Sequence, residues 1–328
     1  MIKKLTVIWQ RLFKQPSIGI HKNFFELGGD PPLAVRLFSE ITRVCGRELP
    51  PMMIYQAPTI AELADLLEHP RAQRLSPLVL LKPGSRKPPV FLIHGIGGSV
   101  MEFFDLVRHL SPSHPVYGLQ SQETDEAGRP IESIEAMARV FLEAIRRVQP
   151  TGPYFFIGYS LGGLVALEMA QRLLNMGEKT GLLAMVDTYP HASHLSRTQR
   201  ARLLLGRAVR HAVALPPLRG RRRSSHGTGF YKPPQGASFA PAMRRIRDNA
   251  DIALKRYRPR FYEGRIAFVR AETPTTFPDN PVPVWTRLAA EFNLETVPGD
   301  HLEMLAVHFE QLASVLNRHL IEALHGIK

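Results

Sequence analysis

A single cysteine, Cys45, occurs in 328 residues. One thiol cannot close an intramolecular disulfide, and its place within an apolar helical pattern suits a small buried side chain rather than a reactive group. No run of about 18 apolar residues occurs, which argues against a membrane-spanning helix. The opening "MIKKLTVIWQRLF" carries two lysines but no small-residue cleavage site, and it passes directly into amphipathic spacing, so it does not read as a signal peptide. These absences fit a reducing cytoplasm. No internal repeat is found. Acidic residues are scarce in one interval only. Between residues 191 and 264 there are 17 Lys/Arg and three acids (Asp248, Asp251 and Glu263), an excess larger than the +13 of the whole chain. Basicity therefore belongs to that segment. Its charges lack interleaved aromatics, so a stacking platform for nucleic acid is the least favoured use of it.

The chain is 44% apolar and 22% charged, a globular composition, and its length admits two domains. Residues 1–69 read as a small helical bundle. Leu5, Ile8, Trp9 and Leu12 share one face of a first helix, and Leu33, Leu37, Ile41 and Val44 share a face of a second. Thr59, followed three residues later by Glu62, predicts a capping box at the start of "AELADLLEH". Residues 70–77 are polar, with proline, and read as a linker. From residue 78 the rhythm changes. The apolar runs "VFLIHG", "PVYGLQ", "YFFIGYS", "LLAMVDTYP" and "RIAFVRA" alternate with helical patterns, which predicts an α/β sandwich around a mostly parallel sheet. A long last helix is expected over 301–324. The basic interval 191–264 interrupts the alternation. Two helical patterns, "RTQRARLLLGRAVRHAVAL" and "PAMRRIRDNADIALKRY", flank the polar "PPLRGRRRSSHGTG", and the whole reads as an inserted lid with a disordered middle.

"GYSLGG" places Ser160 in G-x-S-x-G between a buried strand and a helix. The motif alone is weak; on a strand–turn–helix junction it is the nucleophile elbow of an α/β-hydrolase, with Gly158 and Gly162 providing room in a crowded turn. A serine hydroxyl needs a base. His301 in "VPGDHLEML" follows a strand end and satisfies the chain order Ser…Asp/Glu…His. The imidazole needs a carboxylate, and two lie at strand ends, Asp187 and Glu272, with Asp300 a weaker third; periodicity does not separate the first two. The expected oxyanion donors are the backbone N–H groups of Leu161, just after the nucleophile, and Ile96, in the loop "HGIGGS", which His94 would shape.

"GYSLGG", "DTYP" and "GDHLEML" resemble the type I thioesterase domains that end nonribosomal peptide and polyketide synthases, over roughly residues 78–325. The resemblance moves the acid to Asp187 and puts a lid between that acid and the next strand. "NFFELGGDPPLAVRL" resembles the attachment loop of a carrier domain, over residues 3–68, and carrier followed by thioesterase is the family's order. Such loops read L-G-G-(D/H)-S-L, and the serine carries a phosphopantetheine arm. Here Pro31 holds that place and Pro32 follows; Ser39 is too far inside the helix to substitute. Residues 1–70 also carry eight Lys/Arg against seven Asp/Glu, unlike the acidic norm for carriers. The resemblance implies a serine thioesterase releasing an acyl or peptidyl group by a Ser160–His301–Asp187 acyl-enzyme route in secondary-metabolite or lipopeptide biosynthesis. It implies no metal and no covalent cofactor, with phosphopantetheine present only on the incoming substrate. The donor would be an acyl- or peptidyl-carrier protein in trans or acyl-CoA. The basic lid would meet an acidic carrier, a coenzyme A phosphate or an anionic bilayer, or be no more than a solvated loop, and the front module would serve docking or folding, or have no role. The rival readings are an esterase of free oxygen esters and a non-catalytic carrier-like docking protein.

Overall fold

The computed structural model of the chain describes residues 1–69, 76–86, 88–110, 113–125, 127–195, 198, 201, 241–273 and 280–326. Its first three helices are α1 (Ile2–Phe13), α2 (Pro31–Cys45) and α3 (Ile60–Glu68). Their apolar faces meet in one core: Leu5, Ile8 and Trp9 from α1, Leu37, Phe38 and Ile41 from α2, Leu63 and Leu67 from α3, with Phe24 between. Helix α2 starts where proline is tolerated, at a position whose N–H would lack a partner in any case. Asp30 caps it, accepting from the Leu33 N–H at 2.7 Å, and Gly46 ends it at φ +65°. The predicted capping box is present in both halves: Thr59 Oγ1 accepts from the Glu62 N–H at 3.2 Å, and Glu62 Oε2 accepts from the Thr59 N–H at 3.1 Å.

The second unit is a seven-stranded sheet in the order β1-β3-β2-β4-β5-β6-β7. The strands are β1 (Leu78–Lys82), β2 (Val90–Ile93), β3 (Val116–Leu119), β4 (Tyr154–Tyr159), β5 (Thr180–Val186), β6 (Tyr262–Ala271) and β7 (Ala289–Val297). All pairs are parallel except β1 with β3. Every residue of the central β4 is buried, and its side chains alternate between two cores. Tyr154 and Phe156 face α5 (Ile134–Arg146) and α6 (Leu161–Asn175). Phe155, Ile157 and Tyr159 face α4 (Phe104–His109) and the C-terminal helices. This is the sandwich that strand–helix alternation predicts, because a parallel sheet needs both faces covered. Among the described residues, no helix is long and apolar enough to cross a membrane.

Of the expected lid, helix α7 (Pro241–Arg256) is described, and its Ala250 and Ala253, with Tyr257 just beyond, join the α5/α6 core. The other lid helix and the expected disordered middle fall mostly on residues 202–240, outside the described residues. Tyr262–Gly264, counted with the lid from sequence, are the first residues of β6. A short α8 (Val282–Trp285) precedes β7. The single last helix expected over 301–324 is instead two, α9 (Glu303–Ala306) and α10 (Phe309–His325). The chain leaves helical geometry at His308 (φ −105°, ψ 27°), where the N–H groups of Val307 and His308 both reach back to the Glu303 carbonyl at 2.8 Å. The apolar spacing runs through the break because Met304, Leu305, Leu312 and Leu316 all face one core.

The front module touches the second unit through aromatic rings. Phe25 lies 4.7 Å from Tyr55 within the module and 6.3 Å from Phe104 at the start of α4, centroid to centroid. Met101 packs into the module's core, and the Gln56 side chain donates to the Ser76 carbonyl at 2.8 Å.

Candidate active site

In a parallel sheet the strand ends carrying functional loops share one edge. Four such ends converge here: those of β2, β4, β5 and β7. Ser160 follows β4 directly. Its φ of +54° is a left-handed conformation that costs a non-glycine residue on the order of 1–3 kcal/mol. The surroundings hold it there: the Ser160 N–H donates to the Val186 carbonyl at 2.8 Å, and the Ser160 carbonyl accepts from the Gly163 N–H at 3.2 Å. Gly158 and Gly162 are required by close approach rather than by their dihedrals. A Cβ on Gly158 would lie 2.3 Å from the Gly162 carbonyl oxygen, and one on Gly162 would lie 2.2 Å from that of Ile93.

Asp187, one residue past β5, is also left-handed, at φ +42°. Its N–H donates to the Val269 carbonyl at 2.8 Å, and its Oδ1 accepts from the Ala271 N–H at 3.3 Å. The next residue, Thr188, is fixed by the buried Trp285, whose indole N–H donates to its carbonyl at 3.1 Å. So held, Asp187 Oδ2 lies 2.7 Å from Nδ1 of His301, across 114 residues of sequence. Both side chains are nearly buried, at 6% and 12% exposure, which protects the bond from competing water. The alternatives point elsewhere. Glu272 is exposed. Asp300 caps its own loop, accepting from the N–H groups of Leu302 at 2.8 Å and Glu303 at 3.0 Å.

The loop after β2 is tied down by a buried polar chain. His94 is fully buried, and burial pushes its pKa down to about 4, so the ring is neutral. Its Nδ1 faces the Gly95 carbonyl, which only accepts; Nδ1 therefore carries the proton, and Nε2, 2.9 Å from Ser121 Oγ, accepts from that hydroxyl. The Gly95 N–H donates to Glu102 Oε1 at 2.5 Å. Burial raises Glu102 to about 8. Neither Glu102 nor Ser121 was singled out from sequence. Their part depends on the loop folding back on itself, and no spacing rule carries that signal. Among the described residues, the amide N–H groups of Ile96 and Leu161 have no hydrogen-bond partner. No group of three or more His, Cys, Asp or Glu suited to a metal occurs among the described residues.

Ser160 thus stands at positive φ on a strand–helix elbow, and the Asp187–His301 pair lies past the ends of other strands of the same sheet. The profile of the thioesterase domain matches residues 88–320. The chain belongs to the thioesterase-domain family. Ahead of the thioesterase domain, the phosphopantetheine-attachment-site profile matches residues 3–67, the carrier-then-thioesterase order of nonribosomal peptide synthetases. Malpibaldin synthetase of Mortierella alpina is 32% identical over 306 residues, which is 92% of this chain and 5% of the synthetase. The dimodular nonribosomal peptide synthase of Bacillus subtilis (strain 168) is 38% identical over 185 residues, 56% of this chain and 8% of that protein. The thioesterase thus spans a small fraction of these curated relatives. Among solved structures, the NocB thioesterase domain in covalent complex with a fluorophosphonate nocardicin G analog aligns over 74% of this chain and 99% of its own at a TM-score of 0.54 and 21% identity. A four-domain nonribosomal peptide synthetase bound to AMP and glycine aligns over 97% of this chain and 26% of its own, at 0.58 and 24%. These likenesses establish the α/β-hydrolase fold of the thioesterase and the helical fold of the module before it.

The phosphopantetheine-attachment-site match includes the start of α2, where the structure places Pro31 and then Pro32. The Ser39 hydroxyl lies within the helix and donates to the Val35 carbonyl at 2.9 Å.

Proposed function

We propose that the chain is a serine thioesterase that acts on an acyl or peptidyl thioester delivered from outside, on a separate carrier protein or on coenzyme A. The observation that carries this reading is the 2.7 Å bond between Asp187 and His301 at the edge where Ser160 occupies its elbow. On this reading His301 takes the Ser160 proton through Nε2 as Oγ attacks the thioester carbonyl. Asp187 accepts the Nδ1 proton, fixes the tautomer and stabilises the imidazolium that forms. The Ile96 and Leu161 N–H groups hold the oxyanion. The carbon–sulfur bond then breaks. A thiolate is a good leaving group, with a thiol pKa of about 8.5, so little acid assistance is needed. Water, or a hydroxyl or amine of the substrate, attacks the acyl-enzyme with His301 again as base.

Delivery in trans is supported by the two prolines at the head of α2. An acidic carrier as donor is supported by the 17 Lys/Arg against three acids in residues 191–264. Four experiments test the reading. Mass spectrometry of wild-type chain quenched early in turnover of an acyl-thioester should show an acyl group on Ser160 that is absent from His301→Ala, and wild-type enzyme should prefer thioesters to matched oxygen esters. A gain of one phosphopantetheine arm within residues 1–70 after treatment with a phosphopantetheinyl transferase would overturn delivery in trans. Carrier binding should weaken with salt and on replacing Arg221, Arg222 and Arg223.

A further inference from the structure

The residue between Gly158 and the nucleophile has been left without a role. Tyr159 is the last residue of β4 and is 3% exposed. Strand alternation turns it to the face of Phe155 and Ile157, beneath the site edge. Its ring lies flat against the His301 imidazole, with centroids 4.8 Å apart and planes 18° from parallel. Its hydroxyl donates to the His301 carbonyl at 2.6 Å. The same ring bounds the loop after β2: a Cβ on Gly95 would lie 3.0 Å from Tyr159 Cδ1 and 3.2 Å from Cε1. Phe103 closes the ring's surroundings edge-on, at 6.5 Å and 82°. Burial, with the charges of Glu102, Asp187 and Asp300 nearby, holds the phenol well above its ordinary pKa, so it remains a donor throughout the working range.

We propose that Tyr159 is a positioning residue: one ring carries the general base on its face and the loop of the Ile96 oxyanion donor against its edge, and so sets the distance between them. The inference rests on the Ser160–His301 reading above. The strand holding the nucleophile thereby also places the base and the oxyanion loop.

The test uses full-length chain. The rate at which a fluorophosphonate labels Ser160 reports activation of the hydroxyl by His301, and kcat and KM are measured on an acyl-thioester alongside thermal melting. Tyr159→Leu, which removes the ring, should slow labelling and lower kcat together by about 10- to 100-fold, the scale of a misplaced catalytic group, with KM within about twofold. Tyr159→Phe keeps the stacked ring and loses the hydroxyl bond, and should recover most of that loss. Gly95→Ala approaches the ring from the loop side and should slow labelling as well. Labelling and kcat in folded Tyr159→Leu within about twofold of wild type would overturn the proposal. Should that variant not fold, a wild-type labelling rate in Gly95→Ala would overturn it equally. Ser160→Ala and His301→Ala are run in the same assay. If they abolish labelling while the Tyr159 variants do not, only this inference falls; if labelling persists in His301→Ala, the underlying reading falls with it.

Discussion

Two non-glycine residues at the site edge, Ser160 and Asp187, hold left-handed φ values, and both are clamped by backbone bonds to neighbouring strands. Such strain persists only where the surroundings over-determine it. Asp187→Asn should leave the fold intact and lower kcat by about 10³- to 10⁴-fold, because the amide favours the wrong imidazole tautomer. Glu272→Gln, at an exposed position, should change kcat little, and thioester turnover of the two variants side by side decides between the acids. In the sequence, motif and chain order single out Ser160 and His301 as candidates. Periodicity does not separate the two candidate acids, since both end strands; the family resemblance favours Asp187, and the structure brings Asp187 to 2.7 Å from His301. Tyr159 was illegible because its contacts lie 142 residues away. His94 carries a pH prediction. Its pKa is about 4 folded against 6.5 ordinarily, so as pH falls between these values the unfolded chain takes up a proton that the folded one refuses. Stability present above about 6.5 is then lost toward 4, by on the order of 3 kcal/mol. Glu102, raised to about 8, has the opposite slope: its contribution is full below about 4.5 and is lost as pH rises through 8. The wild-type minus His94→Asn difference in melting temperature isolates the histidine from the opposing Glu102 slope, and it should fall as pH drops from about 6.5 toward 4.

At the scale of elements, the elbow is set by contact between β2, β4 and the first turn of α6. Gly162→Ala would press a methyl group against the carbonyl oxygens of Ile93 and His94, which are backbone and cannot turn away. It should destabilise the chain by about 3 kcal/mol, some 6–12 °C, and abolish Ser160 labelling. A melt beside an activity-based label measures both. Helix α6 also carries a buried acid that sequence reading passed over: Glu168 accepts from Arg172 at 2.8 Å and from the Tyr257 hydroxyl at 3.2 Å, tying the end of the α7 segment to the sandwich. Its only sequence signal was one glutamate among apolar residues. Strand β1 was missed because its apolar run, Leu78–Leu81, is short, lies at the sheet edge and buries a single side chain, Val79. The break between α9 and α10 was missed for the opposite reason, since the apolar spacing crosses it undisturbed.

At the scale of the molecule, the order of the two units was legible from their motifs, whereas their junction was not. Phe25, Tyr55 and Phe104 each read as an ordinary core residue of its own neighbourhood. The pair Phe25→Ala and Tyr55→Ala should uncouple the units, and differential scanning calorimetry should then resolve two transitions in place of one. The prolines at the head of α2 carry a kinetic consequence. A short tether presents its cargo at an effective concentration of roughly millimolar, whatever the amount of enzyme present. On the proposed reading this chain has no such private supply. Its throughput then follows second-order encounter with loaded donors, scales with their abundance, and can serve several of them in turn.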